Sequence, residues 1–599
     1  GRQSSGRAIL GMKHKLIVRI LLLVAMFPSM GAARSTAEWG LAVYEVGSSA
    51  NARQEQLALR NSLEIQGIPF VATSDIEEAT RRPFVVAGGT LANTELTPAE
   101  RESLYAYVEQ GGVLLATQVR GNMFFPLFGL TDATTSQTNF SLQFTDRGDA
   151  ASRYLNRPEE LTISLGDPLL YAETVWSTQY TPGRGTTVLA QYENGAAALT
   201  RHPYGRGLAY ALGLGFKETT LLPQLARSFE AARQWINAFE PSGDVFRLLL
   251  RGLYEENVHP FLLVHTVPEG RETALVLSHD VDARESFRNS LIFAQMEASL
   301  GVRSTYFVTT KYFDDDTDIG YYTAERAEWI KQVGAMGFEV ESHSVSHSAT
   351  FDKFPVGSPE VDLQTYAPTE LTLFGEIRVS KQLLDRDLGQ ETIGFRAGYL
   401  RFPNELLRVL EESGYGFDSS VSAQNVLTNL PYFGFRRRSM VAEQSDIVVV
   451  PVTLDDSLGY LTPETQHIAL RNWTEIIRAN GENGAITTLL IHPTDTTYKL
   501  ETERRLIATH LRPEIWIGGV GSMARFWADR SLLRPAVHIG ENGKTMIALN
   551  LNHEKLPPGQ ALVVESQPGA LIPEVFDAAG EPIAVQSRPL GDRIMLLFP

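Results

Sequence analysis

Residues 277–282 read Leu-Ser-His-Asp-Val-Asp, and residues 341–348 read Glu-Ser-His-Ser-Val-Ser-His-Ser. Together they supply two carboxylates, Asp280 and Asp282, and two imidazoles, His343 and His347. That is enough for one divalent cation and one spare general base, the minimum equipment for metal-assisted hydrolysis. His343 and His347 are four residues apart, a spacing that puts both rings on one face of a helical turn. Asp280 and Asp282 follow the apolar run Thr273 to Leu277, which reads as a buried strand. Two residues apart on a strand, they point the same way and can share one pocket at its end.

Three further segments sit where a strand-then-helix unit would end its strand. They are Gly394-Phe395-Arg396-Ala397-Gly398-Tyr399-Leu400-Arg401, Gly414-Tyr415-Gly416-Phe417-Asp418-Ser419-Ser420, and Leu489-Leu490-Ile491-His492-Pro493. With these in order the chain resembles the polysaccharide deacetylases of carbohydrate esterase family four, over about residues 271–530. The first motif, Ser-His-Asp-Val-Asp, is similar to an exopolysaccharide-type variant in which the second Asp is displaced by one residue. The resemblance implies Asp280 as catalytic base and Asp282, His343 and His347 as ligands of a divalent metal, zinc first. It implies Arg396 as the residue that orients the base, the Tyr399 backbone N–H as oxyanion donor, and His492 as general acid. The family's fourth motif is poorly matched, because Asp418 is not followed by Trp. Asp418, Asp455 and Asp456 therefore stand as rival supports for His492.

The expected fold of 271–530 is a distorted parallel β/α barrel with its chemistry at the carboxyl ends of the strands. The implied reaction removes N-acetyl groups from the amino sugars of a polysaccharide. An O-acetyl esterase or other amide hydrolase using the same metal site, and a non-catalytic polysaccharide-binding protein, remain alternatives.

The elements around this region predict three more parts. Residues 39–240 alternate strand and helix patterns: a strand at Leu41–Val46, a helix at Arg53–Gln66, a helix at Pro98–Gln110 opened by Thr97, a strand at Val113–Thr117. This region resembles the flavodoxin-like α/β fold of glutamine amidotransferases. The chain has no cysteine, so the resemblance implies a binding or scaffolding domain without their nucleophile. Residues 241–270 read as a connecting segment, and 531–599, with short apolar runs between turn residues, as a small β-sandwich.

At 599 residues the chain is long enough for several cores, and a net charge of −17 argues against nucleic acid as partner. Residues 12–34 pattern as a secretory signal peptide: Lys13, Lys15 and Arg19, an apolar run Ile20 to Phe27, then Gly31, Ala32 and Ala33. That predicts a periplasmic or secreted protein, and no later segment is apolar enough to span a membrane.

Overall fold

The computed structural model describes residues 38–599, apart from 226–234, 317, 368, 442, 457–458, 541–543, 552–555 and 568. The predicted signal peptide therefore lies outside the described residues. Among those described, no helix is long and apolar enough to cross a membrane.

The region holding the motifs is a sheet that curls into a half-barrel. In spatial order its strands are Tyr432–Phe435, Gln444–Val449, Phe417–Asp418, Gly394–Phe395, Glu339–Ser342, Thr305–Val308, Thr273–Val281, Ile486–Ile491 and Leu454–Asp455, with Ile515–Gly519 also on Thr273–Val281. All these pairings are parallel except that of Tyr432–Phe435 with Gln444–Val449. Residues 444–455 reach both margins: the first part pairs with Phe417–Asp418 and the last with Leu454–Asp455 against Ile486–Ile491. The curl brings the carboxyl ends of distant strands together.

Thr273–Val281 is buried along its whole length. Alternation sends Leu275, Leu277 and His279 outward to the helices and Asp280 inward. Helices Arg284–Ser299, Ala324–Ala335, Gln466–Gly481 and Tyr498–His510 cover that outer face through a core that includes Phe287, Ile330, Trp473 and Leu506.

The amino-terminal region is mixed α/β. Strands Phe70–Thr73, Leu41–Glu45, Phe84–Gly88, Val113–Thr117 and Gly207–Leu212 run parallel, and the sheet continues antiparallel through Ala197–Tyr204 and Thr187–Tyr192. Helix Pro98–Glu109 opens with a reciprocal capping box between Thr97 and Glu100, as the sequence pattern predicts. Its core extends beyond residue 240. Val245, Phe246, Leu249 and Leu253 of helix Ser242–Asn257 belong to it, as do Phe435, Ala561 and Met595.

Residues 531–599 form most of two four-stranded sheets around a common core of Leu549, Leu562, Val564 and Leu596. One strand, Leu262–Val264, comes from the connecting segment and pairs antiparallel with Ala561–Glu565. Arg530 ties these parts together. It is buried, and it donates to the carbonyls of Glu64, Ile65, Val264 and His265.

Candidate active site

Asp280 lies on strand Thr273–Val281 and Asp282 just past it. His343 follows Glu339–Ser342, Arg396 follows Gly394–Phe395, Asp456 follows Leu454–Asp455 and His492 follows Ile486–Ile491. Every one is at the carboxyl end of a strand of the same curled sheet, and the curl places all six around one point.

The helical turn expected to present His343 and His347 is absent. The segment after Ser342 is a loop in which Ser344 and His347 hold left-handed φ angles of 66° and 53°. Such conformations cost roughly 1–3 kcal/mol each and persist only where surroundings enforce them. Here the enforcing group is Glu376, fully buried, whose carboxylate accepts from Val345 N at 3.0 Å, Ser346 N at 2.7 Å and the Tyr366 hydroxyl at 2.7 Å. With the loop so folded, the two imidazoles still converge, ring centroids 4.9 Å apart.

The ligand atoms of Asp282, His343 and His347 all lie within 4.8 Å of one another. His343 Nδ1 shares a 2.7 Å hydrogen bond with the Arg396 carbonyl, so the ring donates there and turns the Nε2 lone pair inward. Nε2 is buried and without a hydrogen-bond partner. Burial pushes His347 down to about 3, which keeps it a neutral imidazole able to ligate. Burial raises Asp282 above the ordinary carboxylate range, so as an isolated anion it is poorly served. Two inward lone pairs and a carboxylate short of positive charge fit a divalent cation. His347 and Asp282 side chains are 16% and 17% exposed, against 1% for His343, so the set opens to solvent on one side.

Asp280 is held from below. Arg396 Nη1 donates to its Oδ1 at 2.8 Å, and the guanidinium, wholly buried, lies 4.3 Å over the Phe307 ring and also donates to Ser419 O and Oγ. Burial alone would raise Asp280. The His343 ring, the Arg396 guanidinium and the His492 imidazolium beside it outweigh burial and hold the carboxyl at about 2. Across the pocket, His492 Nε2 is 3.6 Å from Asp282 Oδ2. Its Nδ1 is 2.7 Å from Asp456 Oδ1, and Asp456 Oδ2 accepts from His492 N at 3.0 Å and from Lys499 Nζ at 2.8 Å. Burial works against the imidazolium, but Asp456, then Asp282 and Asp280, raise His492 to about 10. The site thus contains a carboxylate kept ionised and an imidazole kept protonated, a base and an acid facing one point.

Of the three rival supports for His492, Asp456 is the one in contact. Asp455 is close as well, with a carboxylate oxygen within 4.8 Å of the His492 and Asp456 ligand atoms, while its backbone engages Asn237. Asp418 does something different: its Oδ1 accepts from Ser420 Oγ, which in turn accepts from Ala397 N at 2.8 Å. It braces the loop after Arg396. In that loop Tyr399 and Leu400 are left-handed, and the Tyr399 ring, 56% exposed, sits 4.8 Å from the His347 ring. Gly398 is required there, since a Cβ would come within 2.7 Å of that imidazole.

Residues 293–417 match the family model for polysaccharide deacetylase. The chain carries a polysaccharide deacetylase domain. The matched span contains His343, His347, Arg396 and Tyr399, while Asp280 and Asp282 precede it and Asp456 and His492 follow it. No curated protein matches the chain. Among solved structures, a putative polysaccharide deacetylase from Mycobacterium smegmatis is similar at 17% identity and a TM-score of 0.34, covering 44% of this chain and 92% of that one. A family 4 carbohydrate esterase from Streptomyces lividans, in complex with acetate, is similar at 13% identity and 0.26, covering 42% and 93%. A family 4 pseudoenzyme from Bacillus anthracis is similar at 14% and 0.27, covering 45% and 71%.

Proposed function

We propose that the deacetylase domain is a metal-dependent hydrolase that removes N-acetyl groups from amino sugars of a polysaccharide, releasing acetate. The observation that carries this reading is the opposed pair: Asp280 ionised against Arg396 and His492 protonated against Asp456, on either side of the Asp282, His343 and His347 set. Those three residues would hold a divalent cation, and two imidazoles with one carboxylate suit zinc. Such an ion, when bound, polarises a carbonyl and lowers the pKa of water.

The chain's own groups supply the proton transfers. Asp280 takes the proton from the water that adds to the acetyl carbonyl, and Arg396 keeps it anionic and aimed. The Tyr399 N–H is the donor assigned to the developing oxyanion. His492 then protonates the departing nitrogen, so the C–N bond breaks to an amine rather than an amide anion, and acetate remains. A simple alkoxide leaves more readily than an amide anion, so a dedicated, strongly held acid favours amide over ester cleavage. The pattern of residues 12–34 supports export, which would place the protein where polysaccharide is found.

The test is acetate release from matched N-acetylated and O-acetylated glycans. Release from the N-acetylated set supports the reading. Release from the O-acetylated set alone selects the esterase alternative, and binding without release selects the pseudoenzyme.

A further inference from the structure

A second group of titratable side chains lies on the other face of the strand that carries Asp280. His279 points outward, between helix Arg284–Ser299, which brings Glu297, and helix Tyr498–His510, which brings Glu503. All three are buried: His279 and Glu297 at 0% exposure, Glu503 at 1%. One atom from each lies within 4.8 Å of the others. The catalytic reading uses none of them.

His279 Nδ1 is 3.1 Å from the Ile491 carbonyl, so Nδ1 carries hydrogen and donates. The Nε2 atom then faces two carboxylates, 3.5 Å from Glu297 Oε1 and 3.4 Å from Glu503 Oε1. A lone pair aimed at two anions in a dry interior is untenable without an electrophile between them. Either a proton or a metal ion can fill that role, and the spacing is wider than a closed charge-assisted hydrogen bond and open enough for an ion. A charged imidazole hydrogen-bonded to carboxylate closes to well under 3 Å, and in this molecule His492 and Asp456 are 2.7 Å apart, His259 and Glu565 2.9 Å. Donor atoms arranged tetrahedrally around an ion at about 2.0–2.1 Å stand roughly 3.4 Å from each other. That is the spacing at His279; around the candidate catalytic ion site His347 Nε2 and Asp282 Oδ2 are likewise 3.5 Å apart, His343 Nε2 and Asp280 Oδ2 3.5 Å, and His492 Nε2 and Asp282 Oδ2 3.6 Å.

The outer contacts agree. Glu297 Oε2 accepts from the Tyr306 hydroxyl at 2.7 Å and Ser304 Oγ at 2.9 Å, which leaves Oε1 to face His279 Nε2. Both oxygens of Glu503 are buried and have no hydrogen-bond partner. The Tyr306 ring stacks on His279 with centroids 4.5 Å apart and fixes its plane. An imidazole whose far nitrogen donates to a main-chain carbonyl, beside a carboxylate anchored by its outer oxygen, is the usual support of a metal ligand. His343 shows the same arrangement with the Arg396 carbonyl.

We propose that His279 Nε2, Glu297 Oε1 and the Glu503 carboxylate form a second divalent-cation site, closed to solvent and structural in role. It would clamp the catalytic strand to two helices remote in sequence. One imidazole and two carboxylates suit zinc or another first-row divalent ion, and with no substrate position the site would stay occupied through turnover.

Elemental analysis of the full-length chain tests this, using the double variant His343→Ala/His347→Ala to remove the candidate catalytic ligands. The expected result is about one tightly held equivalent of divalent metal in that variant, lost when Glu503→Gln is added. Stripping it should lower the melting temperature, and zinc should restore it. A folded double variant that purifies metal-free, and whose melting temperature ignores added zinc or manganese, overturns the proposal and leaves a buried imidazolium. Metal retained after Glu503→Gln overturns it as well. If the triple variant does not fold, X-ray absorption of the double variant decides: one imidazole with oxygen ligands supports the site, and two or more imidazoles, or none, refute it.

Discussion

Replacing Asp456 by Asn should move the alkaline limb of the pH–rate profile. Asp456 has no exposed side-chain surface and touches His492 twice, at Nδ1 and at the backbone N–H, with Lys499 closing its other side. Asn keeps the shape and removes the charge. A full opposite charge this close shifts a partner by roughly 1–3 pKa units, or roughly 1.4–4 kcal/mol at 1.36 kcal/mol per unit. The direction follows from His492 being raised to about 10. A raised imidazole lends stability that is complete below its unfolded value of about 6.5, and that is lost as pH rises through the folded value. In Asp456→Asn the imidazolium should therefore deprotonate roughly 1–3 units lower, and Lys499 would face an amide in place of an anion. Bound metal takes up part of the Asp282 charge, so the holoenzyme starts somewhat below the value set by the apo side chains. The assay is kcat/KM for acetate release across pH, with the His492 ring titrated by NMR in the same protein. A folded variant whose alkaline limb and ring pKa both stay in place would refute the assignment of Asp456 as the group that charges His492.

His492→Ala should slow N-acetyl hydrolysis by on the order of 10²–10⁴, and an activated aryl acetate ester by much less, since its leaving group needs no proton; equal losses on both substrates would argue for a structural histidine. Arg396→Gln should raise Asp280 from about 2 and move the acid limb upward; a depressed carboxyl gives stability that is present above its unfolded value of about 3.9 and lost as pH falls through the folded one. The same variant should lose roughly 3–5 kcal/mol of stability by leaving Asp280 buried without its partner, read from urea unfolding at neutral pH. Arg530→Leu would strand the carbonyls of Glu64, Ile65, Val264 and His265, at about 1–3 kcal/mol for each one left dry; an unchanged denaturation midpoint would show that water replaces the guanidinium.

What could be read in the sequence was what strand periodicity and strand-end chemistry leave visible. Asp280 and Asp282 follow an apolar run, and Arg396 and His492 each end a strand, so their meeting follows once the sheet curls. The conformation between His343 and His347 was not legible. Four-residue spacing suits a helix, but the buried Glu376 carboxylate captures the N–H groups of Val345 and Ser346 and bends the segment through left-handed residues. Glu376 lies on a separate helical segment, in no motif, and only its burial marks it. The choice among Asp418, Asp455 and Asp456 was equally closed to spacing. Asp455 and Asp456 both bring a carboxylate oxygen within 4.8 Å of a His492 ring nitrogen, and only the folded backbone after Leu454–Asp455 decides which of them hydrogen-bonds it. Strand Leu262–Val264 was missed because three residues carry no period, and its partner lies about three hundred residues downstream.

The central claim is that Asp282, His343 and His347 hold the ion on which deacetylation depends. It is tested most directly by acetate release from an N-acetylated amino-sugar polymer, using chelator-treated protein before and after zinc is returned, with His343→Ala alongside. The account predicts no release without metal, recovery on adding zinc, and no recovery in His343→Ala while its circular dichroism stays native. Full acetate release by metal-free protein, or by His343→Ala, would contradict it.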